Sequence, residues 1–149
     1  MSELIFECES RDLLLSTEKS LLDVERIHNF LSRQSYWCNK IPRDIVLKSI
    51  ANSLCFGLYL NKEQIGFARV VTDSATFAWL CDVYVETSNR GHGYSKWMIE
   101  NLLKHPDLQN LRRICLATKD AHTLYKKFGF TVNESPGNWM EIKNNDIYR

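Results

Sequence analysis

Arg90-Gly91-His92-Gly93-Tyr94-Ser95 is the stretch of this chain whose residue types and spacing point most directly to chemistry. Two glycines one residue apart let a backbone approach a ligand with no side chains between them. An apolar run, Thr76–Val85, precedes the stretch, and a helix-period run follows it. The first-turn N–H groups of such a helix have no partners and point out of the loop. With the helix dipole they form an anion site suited to a phosphate or pyrophosphate. Arg90 adds a planar cation. The other reading is a helix-start turn that simply contains glycine. The third glycine of a dinucleotide fingerprint is missing, and so is the Gly-Lys-Ser/Thr of a nucleotide P-loop.

About thirty residues on comes Asp120-Ala121-His122-Thr123-Leu124-Tyr125-Lys126-Lys127-Phe128-Gly129-Phe130. Ala121, Leu124, Tyr125 and Phe128 fall at i, i+3, i+4 and i+7, the spacing of one helix face. Alone, this is an amphipathic helix using Tyr125 for packing, with Gly129 as its C-terminal cap.

The elements that must hold these residues are legible from period and punctuation. Leu4–Glu7 and Leu13–Thr17 are short apolar runs, the second the better strand. A helix is expected over Glu18–Ser32, with Ser16 or Thr17 as cap. Arg33–Pro42 is a loop carrying Tyr36 and Trp37, and Arg43–Ala51 a short helix. Leu54–Leu60, Gln64–Thr72 and Thr76–Val85, joined by short turns, form an antiparallel meander. Strict alternation in the third puts Phe77, Trp79, Cys81, Val83 and Val85 on one face, and Ala78, Leu80, Asp82 and Tyr84 on the other. Both faces are largely apolar, which predicts a central strand covered on both sides. A helix over His92–Lys104, a strand over Leu111–Ala117, a helix over Ala121–Phe128 and closing strands over Phe130–Asn133 and Trp139–Ile142 complete the order. The result is one α+β domain, residues 1–149, built on a mixed sheet.

Composition narrows the function classes. The 149 residues carry 19 basic and 18 acidic side chains, a net charge of +1, which disfavours a dedicated nucleic-acid binder. No apolar run reaches the roughly 18 residues of a membrane span. The N-terminus has early acidic residues and no basic segment, so no signal peptide is expected. The five cysteines, Cys8, Cys38, Cys55, Cys81 and Cys115, show no Cys-x-x-Cys spacing. Neither a disulfide framework nor a metal site is expected, and the compartment reads as reducing and cytoplasmic.

Taken together, the two motifs resemble those of the GCN5-related N-acetyltransferase (GNAT) superfamily. Arg-Gly-x-Gly-x-small after the third meander strand resembles its acetyl-CoA motif, with Ser95 where Gly or Ala is usual. Leu-Tyr-x-x-Phe-Gly-Phe resembles its later motif. FARVVTD, WLCDVYV, DAHTLY and WMEI look like a compact bacterial-type branch, to which no substrate attaches. The resemblance spans about Leu13 to Phe130. It implies an acyl-CoA N-acyltransferase fold, whose sheet, mainly antiparallel, is flanked by helices and splayed at a cofactor gap between Thr76–Val85 and Leu111–Ala117. It implies that Arg90, Gly91, His92, Gly93, Tyr94 and Ser95 hold the pyrophosphate of acetyl-CoA. The backbone of Val83, Tyr84 and Val85 would pair with the pantetheine arm and offer an N–H to the thioester oxygen. Tyr125 would sit near the sulfur.

Chemistry supports these roles separately. An alkylammonium, pKa about 10, must lose a proton before it attacks, the oxyanion needs N–H donors, and a phenol can protonate the departing thiolate. No cysteine nucleophile is required. Asp82, a carboxylate in an apolar strand, is either the general base or a partner for Arg69 or a helix end. His122 is either a second base or an exposed residue of a helix start. Tyr36 and Trp37, and Trp139, either line the amine pocket or pack in the core. The expected reaction is acetyl transfer to a primary amine on a small molecule or peptide, with no metal, nucleic acid or membrane partner. The superfamily also admits a homodimer. Two other functions compete: a non-catalytic acyl-CoA-binding module, and an interaction domain using Arg90, Arg112, Arg113, Lys126 and Lys127.

Overall fold

Turn chemistry lays out the first strands. In the structure, a computed structural model describing residues 4–148, β1 (Glu7–Ser10) turns at Arg11, φ 56°, into β2 (Leu13–Ser16). Beyond β2 come α1 (Val24–Arg33) and α2 (Arg43–Ala51). The chain then forms β3 (Leu54–Leu60), β4 (Glu63–Thr72) and β5 (Phe77–Val85). Asn61 and Lys62 both adopt positive φ, 50° and 70°, as a two-residue hairpin turn requires. The β4–β5 turn is organised by Asp73, whose carboxylate accepts the N–H groups of Ala75, Thr76 and Phe77 and the Thr76 hydroxyl. Those bonds, the Thr76 hydroxyl first, hold its carboxyl well below the usual carboxylate range. Helix α3 (Tyr94–Leu102), strand β6 (Arg113–Leu116) and helix α4 (His122–Lys126) follow.

The six strands lie in sequence order in one sheet. Neighbours are antiparallel except β5 and β6, which are parallel. One face packs Leu15, Phe56, Leu58, Val70, Ala78 and Leu80 against Met98, Ile99 and Leu102 of α3 and Tyr125 of α4. The other packs Cys55, Phe67 and Tyr84 against Ile27, Phe30 and Leu31 of α1 and Val46 and Ile50 of α2. The mixed sheet and the helices on both faces agree with the reading of the sequence, but β5 is next to the edge strand β6 rather than at the centre, where β3 and β4 lie. No helix among the described residues is long and apolar enough to cross a membrane.

Four further expectations are corrected. Two strands rather than one precede the helices: the expected strand at Leu13–Thr17 is β2, and β1 meets the apolar run Leu4–Glu7 only at Glu7, because pairing with β2 and not apolarity defines it; its residues are mostly exposed. The helix expected over Glu18–Ser32 is a 3-10 turn, Lys19–Leu21, then α1, because Asp23 accepts the Arg26 N–H and caps a new start. The closing strands Phe130–Asn133 and Trp139–Ile142 do not form. That segment holds only a 3-10 turn, Pro136–Asn138, and Val132, Met140 and Ile142 face solvent instead of the β6 edge. Strict alternation in β5 fails at Asp82, as described below.

A buried imidazole lies on the α3 side of the sheet. His105, 6% exposed, sits among the rings of Phe6 and Phe56 at 5.0 and 5.8 Å. Its Nδ1 accepts the Asp107 N–H at 3.0 Å. Burial lowers its pKa from 6.5. The unfolded chain therefore takes a proton near pH 6.5 that the folded chain does not. His105 costs no stability well above pH 6.5, and stability falls as the pH drops from 6.5 toward the lower folded value. Denaturant melts at pH 7.5 and 5.5 should show a smaller loss for His105→Asn than for the wild type; an equal loss would assign the pH dependence elsewhere.

Candidate active site

The β5–β6 pair defines the centre of the site. The parallel ladder runs only from Phe77 with Arg113 to Leu80 with Leu116. β6 ends there, while β5 continues through Val83, Tyr84 and Val85. No strand among the described residues pairs with β5 on that side beyond Leu80, so the sheet is splayed.

At the same point β5 changes parity. Arg69 pairs with Cys81 and Phe67 with Tyr84, so two steps on β4 face three on β5. The extra residue is Asp82, in left-handed backbone at φ 53°. This is a β-bulge. Ala78 and Leu80 face α3, as do Val83 and Val85, but Tyr84 faces the α1–α2 side, stacked on Phe30 at 3.8 Å. The bulge thus breaks the expected grouping of Ala78, Leu80, Asp82 and Tyr84. The Tyr84 phenol is buried and raised well above its usual pKa, so this residue meets the gap through its backbone. Gly66 makes the close approach possible: a Cβ there would lie 2.9 Å from the Tyr84 carbonyl oxygen.

The glycine loop follows. Arg90 is tied back to the strand end, its Nε donating to the Val85 carbonyl at 3.0 Å. Gly91 and Gly93 have φ of 84° and 78°, and a Cβ on either would meet nothing within 4 Å. Backbone conformation requires glycine here, and open space lies in front of it. Gly93 is the N-cap of α3 and supplies no side-chain cap. The first backbone bond of the helix runs from the Trp97 N–H to the Gly93 carbonyl. The N–H groups of Tyr94, Ser95 and Lys96 precede that bond, in the geometry that accepts an oxyanion. The His92 and Tyr94 rings pack at 5.4 Å beside them. This cradle fits a pyrophosphate.

Tyr125, on α4, is 9% exposed and meets Phe130 edge-on at 5.7 Å. Burial, with a smaller contribution from Tyr36, pushes its phenol up to about 12. It therefore holds its proton throughout the range in which alkylamines lose theirs. Tyr125 and His122 line a cavity of about 1300 Å³ together with β6 and the segment after α4. Trp139 is at the same wall, with the Arg113 guanidinium over its ring at 5.3 Å. The glycine loop is not part of that cavity. His122 is exposed at the first turn of α4.

The loop between α1 and α2 meets this region from the other face. The Trp37 indole N–H donates to Asp82 Oδ1 at 2.8 Å, and Arg69 Nε donates to Asp82 Oδ2 at 2.8 Å. The Tyr36 hydroxyl accepts the Lys119 N–H at 3.2 Å, and the Lys119 ammonium lies over the Tyr36 ring at 5.4 Å. Tyr36 and Trp37 are 58% and 42% exposed, so both are surface aromatics rather than core. Lys119 carried no signal in the sequence; Arg69 did, as a charge in an otherwise apolar strand facing another such charge. Cys8, Cys38, Cys81 and Cys115 are in no disulfide among the described residues. Burial pushes Cys38 up to about 11 and Cys81 up to about 12, and raises Cys8 and Cys115 as well, so none of these is an activated thiolate. No group of three or more His, Cys, Asp or Glu among the described residues is arranged to hold a metal ion.

A family model described as "Acetyltransferase (GNAT) domain" matches residues 51–132, the span from the end of α2 past the glycine loop and α4. The chain belongs to the GNAT acetyltransferases. A GNAT-family protein from Xanthomonas campestris pv. campestris, solved as a crystal structure, is 46% identical, with a TM-score of 0.88 over 91% of this chain and 96% of that one. A Gibberella zeae protein that carries an acetyltransferase name is 33% identical over 138 residues, covering 78% of this chain and 77% of its own. A GNAT acetyltransferase from Elizabethkingia anophelis, solved with acetyl-CoA bound, shares the fold at 13% identity, with a TM-score of 0.63 over 91% of each chain.

Proposed function

We propose that this GNAT protein transfers the acetyl group of acetyl-CoA to a primary amine by direct attack, in a ternary complex without a covalent enzyme intermediate. The observation that carries this reading is the α3 start: positive-φ glycines with open space before them, uncapped first-turn amides, and Arg90 held at the end of the splayed strand. Gly91 to Ser95 bind the pyrophosphate, with Arg90 beside it. Val83, Tyr84 and Val85, paired with β4 on one side, extend past the last β5–β6 pair and turn their other edge, apart from the Val85 carbonyl held by Arg90, to the pantetheine arm, and an N–H near Val83 faces the thioester oxygen.

Tyr125 gives its proton to the departing thiolate. Burial keeps it protonated at a pH where an amine, pKa about 10, is partly neutral, while making it a weaker acid than a free phenol. His122, exposed three residues before Tyr125, is the uncommitted candidate to relay the ammonium proton to solvent. Tyr36 and Trp37 wall the acceptor side. The acceptor is a small-molecule or peptide amine. The raised thiols leave attack to the amine itself. Residues 1–149 act as one catalytic domain, and five cysteines with no Cys-x-x-Cys spacing suit a reducing, cytoplasmic compartment.

Calorimetry with acetyl-CoA, using dephospho-CoA and ATP as controls, tests the cofactor. Release of free CoA thiol across a panel of amines tests the transfer. Micromolar binding that needs the pyrophosphate–pantetheine unit, with amine-dependent thiol release, is expected. Binding without release leaves an acyl-CoA-binding module, and no binding removes the enzymatic reading.

A further inference from the structure

Asp82 is the residue the bulge adds to β5, and its surroundings define its role. Its side chain is 9% exposed and that of Arg69 19%. Oδ2 accepts from Arg69 Nε, and Oδ1 accepts from the Trp37 indole, each at 2.8 Å. Arg69 Nη1 donates further to the Ser53 hydroxyl at 2.9 Å, between α2 and β3. A continuous chain, Ser53–Arg69–Asp82–Trp37, thus runs from the sheet to the loop after α1. The bulge makes it possible. With regular alternation Asp82 would share the α3 face with Ala78 and Leu80; instead its carboxylate reaches the α1–α2 side, where Trp37 lies.

Both carboxylate oxygens are committed, and the negative charge already has a guanidinium against it. The side chain is therefore oriented toward Arg69 and Trp37 rather than left unpartnered for a substrate. Trp37 gains from the arrangement: an indole 42% exposed, edge-on to Tyr36 at 5.0 Å, is pinned to β5 by a charge-assisted bond. Tyr36 is pinned to the β6–α4 side through Lys119. The two aromatics therefore straddle the splay, each held from one side of it.

We infer that Asp82 and Arg69 are positioning residues that fix the Trp37 indole as a wall of the acceptor site, and that Asp82 is not the proton acceptor. The inference rests on the acetyl-transfer reading above for what the wall does, but not for the hydrogen bond itself.

Two measurements separate these parts. The four tryptophans give four indole N–H signals by nuclear magnetic resonance, and Trp37→Phe identifies the one that matters. That signal should exchange slowly with solvent in the wild type and quickly in folded Asp82→Ala and Arg69→Gln. This result holds whether or not any amine is acetylated. In turnover assays, Trp37→Phe keeps the Asp82–Arg69 pair intact. It should raise the acceptor KM roughly tenfold and leave the acetyl-CoA KM within about twofold. Asp82→Asn keeps an oxygen for the indole and should change the acceptor KM more than kcat. If it leaves Arg69 too costly to bury, Asp82→Asn/Arg69→Gln removes both charges together. Fast exchange of the Trp37 indole in the wild type overturns the positioning role. So does a loss in kcat of about a hundredfold in folded Asp82→Asn, the loss expected for a general base.

Discussion

Replacing Tyr125 by phenylalanine lowers kcat by about a hundredfold or more while acetyl-CoA affinity stays within about twofold. The substitution removes one oxygen and keeps the ring against Phe130, so the α3-side packing survives. Only the proton for the departing thiolate is lost. The pH profile gives a second readout. A phenol held up to about 12 stays protonated as the amine nucleophile is uncovered, so the wild-type rate climbs through the acceptor's own pKa without falling below pH 11. With an ordinary phenol, pKa about 10, acid and nucleophile would exclude each other over part of that range. Equal losses in kcat and acetyl-CoA affinity would make Tyr125 a packing residue.

Replacing Gly93 by glutamate weakens acetyl-CoA binding by more than about a hundredfold. Two effects act in the same direction. A φ of 78° is left-handed backbone that costs a side-chain-bearing residue about 1–2 kcal/mol. The new carboxylate also enters the space in front of the first-turn amides, where a pyrophosphate would be bound. Calorimetry reads the loss, and Gly93→Ala divides it, since alanine brings the strain without the charge. If the glutamate variant binds acetyl-CoA as the wild type does, the anion site is elsewhere.

The features legible in the sequence are those whose causes are local. The β3–β4–β5 meander follows from apolar runs and two-to-four-residue turns. The α3 start follows from Gly91 and Gly93, and the α4 face from the spacing of Ala121, Leu124, Tyr125 and Phe128. Features that depend on a partner far along the chain were not. Period-two patterning has no symbol for an extra residue, so Asp82 read as one more alternating position until its pairing with β4 showed the bulge. The apolar residues of the Phe130–Ile142 segment suggested strands, but apolarity does not supply a ladder partner. At the site, the Arg69 pairing was one of the alternatives the sequence left open. The Trp37–Asp82 bond, spanning 45 positions, and the Tyr36–Lys119 bond, spanning 83, were beyond local reading.

The brevity of the parallel ladder has a further consequence. β6 joins the sheet through the four pairs from Phe77–Arg113 to Leu80–Leu116. No strand flanks its outer edge among the described residues. With fewer ladder pairs than the β3–β4–β5 meander, β6 should show faster amide hydrogen exchange than those strands. A substrate laid between β5 and β6 binds only the closed form, so each bound molecule makes opening rarer by mass action. Limited proteolysis should then cut this part of the chain more slowly with acetyl-CoA present than without it.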